Sequence, residues 1–272
     1  MKKMKYLAKS GGALALLAAV FLVACEKKAS SPPQPSPQSP SEESAQNVAP
    51  NAAQNTAKSS AQQSNCRTVQ ACLPEAEQGN VQAQFNLGVV YDNGYGVPKD
   101  EAEAVKWWHK AAEQGHVAAQ NNLGLSYAQG LGVPKDEAEA AKWFKKAADQ
   151  GFADAQQQLG LCYSIGLGVD KDLSEAVKWY KKAADQGHAK AQYNLGVTYA
   201  QGQGVAEDLA EALKWFKKAA DQGFVPAQFN LGVAYYNGQG VAKDEAEALN
   251  WLKKAANQGH PDAQAALQQI GK

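Results

Sequence analysis

The chain has 272 residues, and its 27 lysines and arginines balance 27 aspartates and glutamates, so the formal charge is zero. That balance gives no footing for nucleic-acid binding, which needs a basic patch. Lysine pairs such as Lys145-Lys146 and Lys181-Lys182 are matched by carboxylates one to three turns earlier, as on a solvated helix face.

Residues 1–25 read as a targeting segment. Lys2, Lys3, Lys5 and Lys9 precede an apolar run from Gly12 to Ala24. Such a run is shorter than the ~20 residues needed to cross a bilayer and fits the hydrophobic region of a secretory signal. It ends in Leu22-Val23-Ala24-Cys25, which resembles the bacterial lipobox. The resemblance implies that Cys25 is acylated and becomes the first residue of the mature protein, so the membrane is met through the N-terminal lipid only. Glu26 stands where many such lipoproteins carry an aspartate that retains them in the inner membrane. An outer-membrane lipoprotein is therefore expected, taken here to face the periplasm; an ordinary signal peptide with an incidental cysteine is the other reading.

Residues 26–65 hold six of the eleven prolines (Pro32, Pro33, Pro35, Pro37, Pro40, Pro50) among Ser, Gln, Asn and Ala. Nothing there could bury enough apolar surface to offset the entropy of folding, so a flexible tether is expected. Forty residues of coil span roughly 35 Å on average and up to ~120 Å as polyproline II.

Residues 66–79 read as an N-terminal cap. Glu77-Gln78-Gly79 is in phase with Glu113-Gln114-Gly115, which suggests one degenerate last turn after an irregular stretch containing Pro74. Export would place Cys66 and Cys72 in an oxidising compartment, where neighbouring cysteines usually pair. Residues six apart cannot bridge within one regular helix. A Cys66–Cys72 disulfide outside regular helix is the expectation.

From Asn80 the chain repeats itself every 36 residues. Gln-Gly recurs at Gly115, Gly151, Gly187, Gly223 and Gly259, Leu-Gly from Leu87-Gly88 to Leu231-Gly232, and Trp107 returns as Trp143, Trp179, Trp215 and Trp251. A fixed period of this length means a solenoid, propeller or array. Within one unit Ala83, Leu87, Gly88 and Tyr91 fall at helical spacing, Gly94 stops that helix, and Gly96-Val97-Pro98 turns the chain. Asp100 with Glu103 is a capping pair for a second helix, whose apolar face is Ala104, Trp107, Trp108, Ala111 and Ala112. The units are residues 80–115, 116–151, 152–187, 188–223 and 224–259, with a half-repeat at 260–272. In that half-repeat Gln268 replaces the glycine of Gly232, as the polar outer face of a terminal cap requires.

The pattern Ala-Gln-x-x-Leu-Gly-x-x-Tyr-x-x-Gly-x-Gly-Val, followed by Ala-x-Lys-Trp-x-x-Lys-Ala-Ala-x-Gln-Gly, resembles the Sel-one-like repeat, a relative of the tetratricopeptide repeat. It covers the chain from Asn80 to the C-terminus. The resemblance implies an all-α, right-handed α/α superhelical solenoid of five helix-turn-helix repeats plus a C-terminal capping helix, working as a protein-interaction scaffold.

No catalytic constellation, cofactor or metal site emerges. His116, His188 and His260 recur two hairpins apart, too far to share a metal, and read as helix-start residues. His109 and Glu113 share one helical face, a weak signal alone. Gly94-Tyr95-Gly96 follows a helix rather than a strand and lacks the rest of a phosphate loop. Cysteine-rich relatives have been associated with penicillin binding and β-lactam hydrolysis, but their repeats each carry a cysteine pair, whereas Cys162 stands alone here. No Ser-x-x-Lys or Lys-Thr-Gly occurs either. A non-enzyme is expected, with cell-wall (muropeptide or β-lactam) binding as the alternative.

What remains is surface. In the tetratricopeptide pattern the first helices line a concave groove, where a protein or peptide would bind a monomeric solenoid. Along them Phe85, Asn121, Gln157, Tyr193 and Phe229 occupy one position, and Asn86, Asn122, Gln158, Asn194 and Asn230 the next. Either row could contact a partner. Either could instead pack between hairpins.

Overall fold

The computed structural model describes residues 66–270; the targeting segment with Cys25, and the tether, lie outside them. The described residues form twelve helices and no strand. Helix α1 (Val69–Glu77) leads into five antiparallel pairs. These are α2 (Val81–Asn93) with α3 (Glu101–Glu113), and α4 (Val117–Gln129) with α5 (Glu137–Asp149). Next come α6 (Ala153–Ile165) with α7 (Leu173–Asp185), and α8 (Ala189–Gln201) with α9 (Leu209–Asp221). The last pair is α10 (Val225–Asn237) with α11 (Glu245–Asn257), and α12 (Pro261–Ile270) ends the array. Each helix packs on the one before it and the one after it.

Local chemistry sets the boundaries. Asn80 Oδ1 accepts the Ala83 N–H at 2.9 Å and starts α2; Gly94, at φ 70°, ends it. Asp100 Oδ1 accepts the Glu103 N–H at 2.9 Å, and Asp136, Asp172, Asp208 and Asp244 do the same in their copies. The glutamate half of the expected capping pair goes elsewhere: Glu103 Oε2 takes the Lys106 ammonium at 2.7 Å. In the last copy Asn250 replaces that lysine, and Glu247 Oε1 instead accepts the Trp251 indole N–H at 2.6 Å.

Two sets of glycines fix the packing. Within a hairpin, a Cβ on Gly88 would strike the Trp108 ring; Gly124, Gly160, Gly196 and Gly232 face Phe144, Tyr180, Phe216 and Leu252 in the same way. Between hairpins, Gly132, Gly168, Gly204 and Gly240 lie on the backbone at the start of the preceding copy's second helix. The recurring tryptophan then joins neighbours, since Trp179 lies in one cluster with Ala140 and Phe144 of the copy before it and Leu159 and Cys162 of its own. Lys182 Nζ covers its other side, 3.7 Å from the ring centroid, and all five copies repeat that contact.

A buried amide chain completes the joint. Gln156 Nε2 donates to Ala148 O at 3.2 Å, and Gln156 Oε1 accepts from Gln186 Nε2 at 2.7 Å. Gln84, Gln120, Gln192 and Gln228 make the same two bonds. Three successive helices are thereby tied at every junction, and no buried amide of this row is left unpaired.

At the N-terminal end Cys66 and Cys72 form a disulfide, with Cα atoms 5.1 Å apart. Cys66 precedes α1 and Cys72 lies inside it, wholly buried against Ala76, Leu87 and Trp107. The cap is more regular than a single last turn: α1 runs nine residues through Pro74. Proline there forfeits one backbone bond, and the Thr68 N-cap together with burial of Cys72 and Ala76 holds the helix nonetheless.

The face of the first helices

The first helices place their sequence-predicted contact residues in two environments. Tyr193 is 6 % exposed and packs on Phe216 and Phe224, with ring centroids 5.7 and 5.2 Å away. Burial pushes its hydroxyl up to about 12. Asn121, Gln157 and Asn194 are also buried. All four are buried rather than open to a partner, and over Tyr193 it is Phe224, at the N-cap of the next first helix, that closes the site. Phe85 and Phe229 are half-buried, stacked on His116 and His260 with centroids 4.4 and 4.5 Å apart. Asn86, Asn122, Gln158 and Asn230 are half-buried as well. Asn86 Oδ1 accepts from Gln82 Nε2 at 2.9 Å, and its Nδ2 lies 3.8 Å from Cys66 Sγ.

One row went unnoticed in the sequence. Three residues after the amides come Val89, Leu125, Leu161, Val197 and Val233, all apolar in all five copies; Val197 is buried and the other four are half-exposed. Its signal was present, an unbroken aliphatic position at period 36, but aliphatic positions of a helix are ordinarily assigned to the core. Together the two rows run along the first helices, interrupted in the fourth copy where Asn194 and Val197 are both buried; Val89 and Leu125 also pack in part against the core.

The recurring histidines begin helices, as their spacing suggests. Nδ1 of His116, His188 and His260 accepts the N–H of Ala119, Ala191 and Ala263 at 3.2, 3.1 and 3.4 Å. Burial lowers the His116 and His260 pKa values. His188 Nε2 reaches Asp154 at 2.9 Å, and that hydrogen bond holds the Asp154 carboxyl below its ordinary range. Phe152 and Phe224 occupy the same helix-start position without a side-chain cap. His109 pairs with Glu113 at 3.1 Å and lies edge-on to Trp143. Among the described residues no three His, Cys, Asp or Glu side chains gather as metal ligands, and no helix is long and apolar enough to cross a membrane. Cys162 is buried in the third copy's core.

Stacked hairpins tied by an internal joint that repeats in every copy define a helical repeat scaffold. The chain belongs to the Sel1 repeat family, whose repeat matches residues 81–116, 117–152, 153–188, 189–224 and 225–260. Its fold is similar to that of a Sel1 repeat protein from Oxalobacter formigenes: 38% identity over 75% of this chain and 81% of that one, TM-score 0.70. It is also similar to a protective antigen of uropathogenic Escherichia coli strains displaying an SLR fold. There the identity is 41%, the TM-score 0.70, and the match spans 72% of this chain but only 42% of the antigen. A comparison with curated proteins gives no match.

Proposed function

We propose that this protein is a non-catalytic protein-interaction scaffold, lipid-anchored through Cys25 in the bacterial cell envelope, that holds a polypeptide segment along the strip of its first helices. The carrying observation is this repeated row: partly buried Val89, Leu125, Leu161 and Val233 beside the amides Asn86, Asn122 and Gln158. Aliphatic side chains supply burial, and amides can pair with the backbone of an extended segment, the usual division of labour in peptide recognition. The lipobox-like Leu22-Val23-Ala24-Cys25 supports the anchor, and Glu26 in place of aspartate supports the outer membrane.

The test uses the full-length protein as bait in an envelope extract, beside Leu125→Glu/Leu161→Glu and, as an outer-face control, Lys181→Glu. Proteins retained by the wild type and the control but lost by the double variant are expected. Equal retention by all three baits would overturn the assignment of the strip. Retention of muropeptide without protein, or turnover of nitrocefin, would move the function to the cell wall. Mass spectrometry of an unmodified Cys25 would remove the anchor.

A further inference from the structure

Among the described residues three large apolar side chains are exposed: Tyr95, Leu131 and Ile165, at 45, 38 and 49 %. All three lie on one edge of the array, at or beside the turns between first and second helices in copies one to three. These turns are neighbours. A Cβ on Gly132 would meet the Glu101 carbonyl of the copy before, and one on Gly168 that of Glu137. Half-buried Leu167 continues the row into the third turn. The fold does not ask for apolar residues here. Gln203 and Gln239 fill the same turn position in copies four and five, and Gln129 and Gln201 hold the place of Ile165 in copies two and four. An exposed apolar patch confined to part of a surface marks a contact site.

The charges beside the row indicate what covers it. Lys99 and Lys135 are each held at 2.6 Å by a glutamate of their own turn, Glu101 and Glu137, and Asp92 lies 4.0 Å from Lys99. In the third turn Leu173 stands in place of that glutamate, and Asp170 replaces the prolines Pro98 and Pro134. The two ends of the row therefore differ in charge. Turned end over end, a second row brings Lys171 toward Glu101 and Asp92, and Asp170 toward Lys99. A surface that complements its own reverse is what a two-fold pair requires. We propose that this edge docks antiparallel on the same edge of a second copy, Leu131 against Leu131 on the axis and Tyr95 against Leu167 of the other chain. Such a pair departs from the monomer that the sequence suggests. Three turns make a short interface, so the association is reversible and depends on concentration.

The test is disulfide trapping in the full-length protein, oxidised with copper phenanthroline and run on non-reducing gels. Cys66 and Cys72 are already paired and Cys162 is buried, so the unaltered protein sets the background. Leu131→Cys should give a two-chain band about tenfold stronger than Gln239→Cys, the same turn position on the polar part of the edge. Tyr95→Cys protein mixed with Leu167→Cys protein should link, whereas Tyr95→Cys alone should stay at background. Adding Tyr95→Gln/Ile165→Gln to Leu131→Cys should weaken its band about tenfold. The circular dichroism should not change, since other copies carry glutamine at both positions. Equal bands from positions 131 and 239, or a Leu131→Cys band untouched by the glutamines, would overturn the proposal. So would a strong band from Tyr95→Cys alone, which would mean that the rows meet in the same sense. Links from position 131 to another protein, without a two-chain band, would hand the edge to a different partner and overturn it too.

Discussion

An imidazole caps a helix only while its Nδ1 carries no proton. His116 and His260 do this with their pKa values lowered by burial; Asp262 opposes the shift at His260, and the Nε2 of His116 faces the neutral Gln82 at 3.3 Å. A folded-state pKa below the unfolded value means the unfolded chain takes the proton first. The caps' contribution is thus complete above about pH 6.5 and is lost as pH falls from there through the lower folded-state values. His116→Asn/His260→Asn, which installs the residue that caps α2 at Asn80, should leave the thermal midpoint near pH 7.5 almost unchanged. It should flatten the fall of that midpoint between pH 7 and 5. An identical pH profile in melts of the two proteins would show that the caps do not titrate. The role of these histidines was legible from their place after Gln-Gly. The burial of Tyr193 was less so, because position 193 alone does not decide it. The residue 31 places on does: Phe224 completes an aromatic cluster, whereas His116 and His260 leave Phe85 and Phe229 half-open. The glutamine chain was hidden for a similar reason, since Gln84 finds its partner Gln114 thirty residues away and on another helix.

At the level of elements, helix, turn and period were all readable because each boundary has a local cause: Asp at the second N-cap, glycine at the first C-cap. The contact between successive hairpins was not, and one pair of glycines isolates it. Gly96 and Gly168 share a left-handed backbone, φ 74° and 69°, and the same place in the turn. A Cβ on Gly96 meets nothing, since no full hairpin precedes it, whereas one on Gly168 meets the carbonyl of Glu137. Gly96→Ala should therefore cost only the left-handed strain of about 1–2 kcal/mol. Gly168→Ala should cost at least ~2 kcal/mol more, a further fall of roughly 4–8 °C for an array of this size. Calorimetry of the two variants decides it, and equal melting points would mean that the turns do not bear on their neighbours.

For the whole molecule, the described residues start with a second-type helix and finish with a first-type one, so two copies could in principle complete each other's hairpin. Both ends are marked against it. Glu75 is exposed where the internal copies have wholly buried Ala111, Ala147, Ala183, Ala219 and Ala255, and exposed Gln268 stands where Gly232 admits a neighbouring side chain. Burying a carboxylate without a partner is costly, and polar ends keep a solenoid from growing. Glu75→Ala/Gln268→Gly should give species whose sedimentation-derived mass rises with concentration above that of the unaltered protein; an unchanged mass would place the block elsewhere. The first helices share one face only if every hairpin leans on the next, and Trp179 tests that most directly. It lies in the middle copy, is 5 % exposed, and packs in the cluster that its own copy shares with the one before. Trp179→Ala should cost about 3–5 kcal/mol, read as a large drop in the thermal midpoint followed by circular dichroism. A midpoint equal to that of the unaltered protein would contradict the stacked array on which the function rests.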